Sequence, residues 1–194
     1  MRPILVCCLV LVAACQSTRP RGPYEAPNEA QRDSAKAEAL TREAAELLTS
    51  EPERAEKLLR EALSADLYCG PAHNNLGVVF LAQGKRYDAA QEFEWAKKLL
   101  PGHPDPRVNL ALCFEDAGRL DEALEHYASA LEVFPGYVPA MQGAASASLR
   151  SGKSDPRLRG WLDEVALRGE SDAWRAWAVE HAIKRAPPTT TSPN

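Results

Sequence analysis

The sequence predicts an all-α protein, a solenoid of stacked helical hairpins. One observation is a template written twice, 34 residues apart. Leu76, Gly77, Phe80, Gly84, Ala89, Phe93, Ala96 and Pro101 are answered by Leu110, Ala111, Phe114, Gly118, Ala123, Tyr127, Ala130 and Pro135, with Asn75 and Asn109 in the same register. A fixed period of this length marks a repeat architecture. A second observation is apolar spacing near 3.6 residues, as in Ala55, Leu58, Leu59, Ala62 and Leu63, the signature of one buried helix face. The third is composition. Hydrophobic residues make up 45% of the 194, enough for a packed core, and 23 Lys+Arg stand against 27 Asp+Glu. That balance lacks the basic face of a nucleic-acid binder.

The small/aromatic/Gly/Ala/aromatic/Ala/Pro order resembles the tetratricopeptide repeat, a helix–turn–helix unit. The resemblance covers about residues 36–171 and is strong over 70–137. It implies a binding module rather than a chemistry.

The elements follow in chain order. Ile4 to Ala14 is a run of eleven apolar residues behind Arg2. As a helix it would span about 16 Å, short of a bilayer core of roughly 30 Å, so residues 1–14 are expected to be a signal peptide. Val12-Ala13-Ala14-Cys15 resembles the bacterial lipobox, which implies lipidation at Cys15 and anchoring to a membrane at the cell envelope. Gln16 in place of Asp leans toward the periplasmic face of the outer membrane. Two or more acyl chains, at about 0.8 kcal/mol per buried methylene, would hold such an anchor. Residues 15–32, with Pro20, Pro23 and Pro27, read as a flexible linker.

The repeat domain is expected over 33–186. Asp33 to Thr49 is rich in good helix formers. Pro52 suits the opening of the next helix, where a missing N–H costs little. Ala55, Leu59 and Ala62 lie one period before Ala89, Phe93 and Ala96. The preceding helix aligns with a two-residue deletion, Ala45 on Gly77 and Leu48 on Phe80. This makes a degenerate first repeat, 36–69, with Leu67 where a closing proline is expected. The clear repeats are 70–103 and 104–137. Gly77 and Ala111 are small where paired helices meet. Gly84 and Gly118 are placed to take positive φ and turn the chain, and Pro101 and Pro135 stop the second helices. A degenerate fourth unit covers 138–171, with Gly152 in register and Leu158, Trp161, Leu162 and Val165 on its second helix. Asp172 to Arg185 is a last helix within a cap, 172–186, where Trp161, Trp174 and Trp177 are expected to pack. The Pro/Thr-rich end, 187–194, is expected to be disordered.

No catalytic constellation is visible. His73, His103, His126 and His181 are scattered, and none sits in metal-ligand spacing with a cysteine. No phosphate loop, nucleophile elbow or zincin motif is present. The expectation is a non-enzyme without cofactor or metal. Beyond Cys7, Cys8 and Cys15 only Cys69 and Cys113 remain as thiols, and their positions argue against a disulfide.

The partner site is what the resemblance implies. First helices of successive repeats line a concave groove in that family. Here they would present Asn74, Val78 and Leu81, then Val108, Leu112 and Glu115. The ends add Arg42 and Glu46, and Gln142, Ser146, Leu149 and Arg150. Asn75 and Asn109 flank this row, and an amide can grip a peptide backbone as donor and acceptor. Asp105 and Glu46 stand where a carboxylate clamp would need Lys or Asn, so no such clamp is expected. The implied function is a lipid-anchored adaptor for a protein or peptide partner, with secretion, pilus or envelope assembly as settings. The alternatives are a structural or oligomeric scaffold using the convex face, where Trp95 is a candidate anchor, or the Trp-rich end, and, ranked below it, an envelope enzyme.

Overall fold

The computed structural model describes residues 32–184. The expected signal peptide, Cys15, the linker up to residue 31 and the 187–194 tail lie outside the described residues. Those described form α1 (Ser34–Leu47), α2 (Pro52–Ala65), α3 (Gly70–Ala82), α4 (Arg86–Leu99), α5 (Asp105–Asp116), α6 (Leu120–Val133), α7 (Val138–Ser151), α8 (Leu158–Arg168) and α9 (Asp172–Lys184). Four antiparallel pairs, α1/α2, α3/α4, α5/α6 and α7/α8, stack in order, each second helix also touching the next first helix. The first helices touch one another in sequence, α1 to α3 to α5 to α7. That row carries the site.

Two recurrent turns generate the stack. Within the clear repeats the first helix ends in a left-handed glycine, Gly84 at φ +74° and Gly118 at φ +75°. The Gly84 N–H donates to the Leu81 carbonyl (3.0 Å) and the Lys85 N–H to Phe80 (2.9 Å); Gly118 and Arg119 repeat this on Glu115 and Phe114, both at 2.9 Å. Residues with a Cβ adopt that φ at a cost, which is why glycine recurs there. Between repeats, the N–H groups of Asp66, Leu100 and Phe134 bond to the carbonyls of Ala62, Ala96 and Ala130, and those of Cys69, His103 and Tyr137 bond to residues 66, 100 and 134. The first repeat therefore keeps the inter-repeat turn although Leu67 replaces the proline. The turn is held by backbone hydrogen bonds that leucine can also accommodate.

The register of α1 differs from the expected alignment by one residue. Ala44 is fully buried, whereas Ala45 is exposed and lines a hollow beside Asn75. Ala44, not Ala45, thus occupies the place of Gly77, and the deletion is one residue. A one-residue change in a helix turns a side chain by 100°, enough to exchange core for surface.

The core runs as two contiguous clusters meeting at α5, which gives Leu110 and Cys113 to one and Val108 and Ala111 to the other. Phe93 and Tyr127 are fully buried, one period apart. A Cβ on Gly77 would lie 2.5 Å from the Phe93 ring, and one on Gly143 would lie 2.1 Å from Tyr127. These glycines exist because aromatic rings occupy the space a side chain would need. Trp161 is buried, and Trp174 meets Trp177 edge-on at 5.1 Å, so the tryptophans do pack at the cap end. Cys69 and Cys113 are both buried free thiols. Burial, with the Asp116 charge adding to it, pushes the Cys113 thiol up to about 11.

Asp66 ties the start of the described chain to the α2–α3 turn. It accepts two bonds from Arg32 (2.9 and 3.0 Å), one from the Ser34 hydroxyl (2.7 Å) and one from the Tyr68 N–H (3.0 Å). The Arg32 guanidinium foremost, then Ser34 and Tyr68, hold its carboxyl below the usual carboxylate range against the opposing effect of burial. A depressed folded pKa contributes stability above the unfolded value and loses it as pH falls through the folded one. Asp66→Asn is expected to cost about 1.5–3 kcal/mol at neutral pH, the scale of hydrogen bonds to a charged group. The difference from wild type should close as urea-unfolding midpoints are measured at progressively more acid pH; a pH-independent difference would contradict the assignment.

Candidate functional site

Three successive first helices open a hollow of about 570 Å³ lined by Leu81 of α3, Leu112, Glu115 and Asp116 of α5, and Arg150 of α7. Residues four apart on α5 share a face, so Leu112 and Asp116 present together. Leu112 is 41% exposed, unusual for a leucine in a helix stacked on both sides. At the floor Arg150 reaches across 2.6 Å to one oxygen of Glu115. The other Glu115 oxygen is buried beside the Tyr127 hydroxyl. Burial, and secondarily the Glu115 charge, raises the Tyr127 phenol well above its ordinary value, so it stays protonated. Asp116 pairs with Arg86 from the neighbouring hairpin. The result is an apolar strip, Leu81 and Leu112, bordered by charges held in place.

Other expected groove residues fall in different settings. The Asn109 amide donates to the Asn74 carbonyl oxygen at 2.9 Å, a rung joining α5 to α3. Asn75 and Arg42 line a second hollow of about 510 Å³ with Tyr68, Leu99 and Leu100, at the α1 end of the row. Val78, Leu149 and Ser146 are half-buried, and Glu46 is exposed. Two residues are corrections. Val108 is 9% exposed and packs in the core. Gln142 is 4% exposed and spent internally: its amide donates to the Glu170 carboxylate and its carbonyl accepts the Glu170 N–H, both at 3.0 Å. It clamps the α8–α9 turn onto α7. Neither presents its side chain to an occupant of the hollow. Trp95 lies on another face, stacked on His73 at 5.7 Å, beside a hollow of about 450 Å³ shared with Tyr87 and Phe114.

One internal pair escaped sequence reading. His73 is fully buried, with Nδ1 2.6 Å from Glu92 Oε2 and Nε2 2.9 Å from the Leu67 carbonyl. A carbonyl has no proton to give, so Nε2–H donates to it, and a proton is shared between Nδ1 and the carboxylate. The two residues lie 19 apart on different helices; only the fold brings them together. The His73 ring lies stacked beneath Trp95. Among the described residues no group of three or more His, Cys, Asp or Glu could hold a metal ion, and no helix is long and apolar enough to cross a membrane.

Residues 49–104 and 75–138 match the tetratricopeptide repeat family model. No curated protein matches the sequence. Among solved structures the chain is similar to Pseudomonas aeruginosa pilF, at 22% identity and TM-score 0.68, covering 78% of this chain and 69% of that one. It is similar to the Yersinia enterocolitica type III secretion chaperone SycD in complex with a peptide of the translocator YopD, at 20% identity and TM-score 0.56, covering 64% and 99%. The first tetratricopeptide domain of Spaghetti (RPAP3) bound to the HSP90 peptide SRMEEVD matches at 18% identity and TM-score 0.59, covering 63% and 98%. These likenesses are of fold. With the 34-residue period, the recurrent turns and the row of first helices, the described residues form an all-α tetratricopeptide-repeat solenoid.

Proposed function

We propose that this chain is a lipid-anchored adaptor at the bacterial cell envelope, holding a segment of a protein partner in the hollow across α3, α5 and α7. The observation that carries the binding half is that hollow. Exposed Leu112 and half-buried Leu81 offer apolar burial, and the fixed Glu115–Arg150 pair borders them with both signs of charge. Such a strip suits an extended or helical peptide bearing an aliphatic side chain. SycD and the RPAP3 domain carry peptides in structures of the same fold, which supports the reading. The anchoring half rests on Val12-Ala13-Ala14-Cys15, and a proline-bearing linker of this length would let the solenoid stand off the membrane.

The two halves are tested separately. Leu112→Glu places a charge on the apolar strip at a site exposed enough to tolerate it. It should lower partner capture from envelope extracts by about tenfold or more, the scale of 1.4 kcal/mol or above, while helix content by circular dichroism is kept. Undiminished capture would move the site off the groove. Cys15→Ser should transfer the protein from the membrane to the soluble fraction on cell fractionation; retention in the membrane would remove the lipid anchor from the proposal.

A further inference from the structure

The hollow of about 510 Å³ at the α1 end of the row is unfilled in both charge and apolar surface. Ser34, Glu38 and Arg42 line it from α1. They follow at steps of four residues and so share one helix face. Asn75 of α3, with Leu99 and Leu100 at the end of α4, line it as well. Arg42 is exposed and the two leucines are half-buried. Among the described residues Arg42 and Glu38 make no ion pair, with each other or elsewhere, and the Asn75 amide has no hydrogen-bond partner. A cation, an amide and two leucines round one recess suit an occupant that brings a carboxylate and apolar groups together.

The chain itself enters at the rim. Asp33 caps α1, accepting the Lys36 N–H at 2.9 Å, and its own N–H donates to the Ala65 carbonyl at 3.0 Å. Arg32, which also lines the hollow, is bound to Asp66 and lies over the Tyr68 ring at 4.9 Å. Residues 22–31 join the solenoid at this point. They carry two carboxylates, Glu25 and Glu29, and no Lys or Arg. Arg42 is nine residues along α1 from Asp33, about 13 Å of helix. Four extended residues reach about as far, so a segment laid back along α1 brings Glu29 level with Arg42. The same count sets Gln31 level with Glu38, where an amide donor meets that carboxylate without repulsion. A segment tethered this closely is present at about millimolar effective concentration, which favours it over an untethered occupant of the same chemistry.

We propose that residues 22–31 of this chain dock in the hollow, with Glu29 on Arg42, and close the α1 end of the row of first helices. The two hollows share no lining residue. The one across α3, α5 and α7 therefore stays open, and a partner segment is confined to it. Where Cys15 carries a lipid, residues 15–21 are left to span the stand-off from the membrane, and the α1 end is held toward it.

A Glu-specific protease acting on the full-length chain tests this, because cleavage after Glu25 reads the undocked population. Arg42→Glu should speed that cleavage about fivefold or more, the scale of one exposed ion pair, with helix content by circular dichroism kept. Glu29→Arg should do the same, and the two reversals together should return the wild-type rate. Restoration needs a folded α1 and this particular pairing, so it decides the matter even where a single variant is destabilised. The wild-type rate should not depend on protein concentration. Cleavage that slows as concentration rises would give the hollow to a second copy. Cleavage unaltered by Arg42→Glu would leave it to an outside partner. Either result, or failure of the double reversal to restore the rate, would overturn the proposal. None of these readouts involves partner capture, so they are independent of the Leu112→Glu test.

Discussion

Replacing His73 with alanine is expected to lower unfolding free energy by about 3–5 kcal/mol, the scale of deleting a fully buried ring. The substitution takes a fully buried ring from between Glu92 and the Leu67 carbonyl. It strips a buried carboxylate of its imidazole, leaves a carbonyl without its ring N–H, and opens a cavity under Trp95. The double variant His73→Phe/Glu92→Leu should be less damaging than His73→Ala alone. Apolar replacement of both partners removes both halves of the Nδ1–carboxylate hydrogen bond together, and the phenyl ring refills the space. Urea-induced unfolding followed by circular dichroism measures both. A double variant as unstable as the single one would show that the cost lies in the cavity and the Leu67 carbonyl, not in the carboxylate.

Phe93→Ala carries the second large effect, about 3–5 kcal/mol for deleting a fully buried phenyl ring. Its neighbour makes the prediction specific. A methyl added at Gly77 meets three ring carbons of Phe93 at 2.5–2.9 Å, so Gly77→Ala alone should cost about 1–3 kcal/mol through overpacking. Combined with Phe93→Ala, the same methyl enters vacated space, and the double variant should be more stable than the sum of the two losses. Contacting residues show such couplings at about 0.5–3 kcal/mol. Strict additivity would mean the hairpin moves apart to accept the methyl, contrary to the close approach inferred for every repeat.

The architecture was legible because it is periodic. Gly84, Gly118 and Gly152 announce left-handed turns by their spacing, and all three have positive φ. The alanines at 55, 89 and 123 mark fully buried contacts for the same reason. The one misplaced element, α1, sits where the period is broken by a deletion. There the residue pattern no longer counts off the turn, and Ala44 and Ala45 are chemically identical.

The site was less legible. Leu81, Leu112, Glu115 and Arg150 do converge on one hollow, as spacing along the first helices suggested. Spacing could not reveal that Gln142 is consumed by Glu170, or that Asn74 and Asn109 bond to each other. Those outcomes depend on where the next hairpin lands. The same holds for Arg150, whose partner Glu115 is 35 residues away.

The chain's own order of residues thus determined the unit: two helices, a glycine turn, and small residues where rings must fit. These are local consequences of backbone conformation and side-chain size, and they repeat wherever the residues repeat. Tertiary structure alone decided which polar groups are consumed within the solenoid and which face outward. A side chain's hydrogen-bond partner is set by where the facing helix lands, a period away for Asn74–Asn109 and Glu115–Arg150 and across a single hairpin for His73–Glu92, and no local pattern encodes either placement.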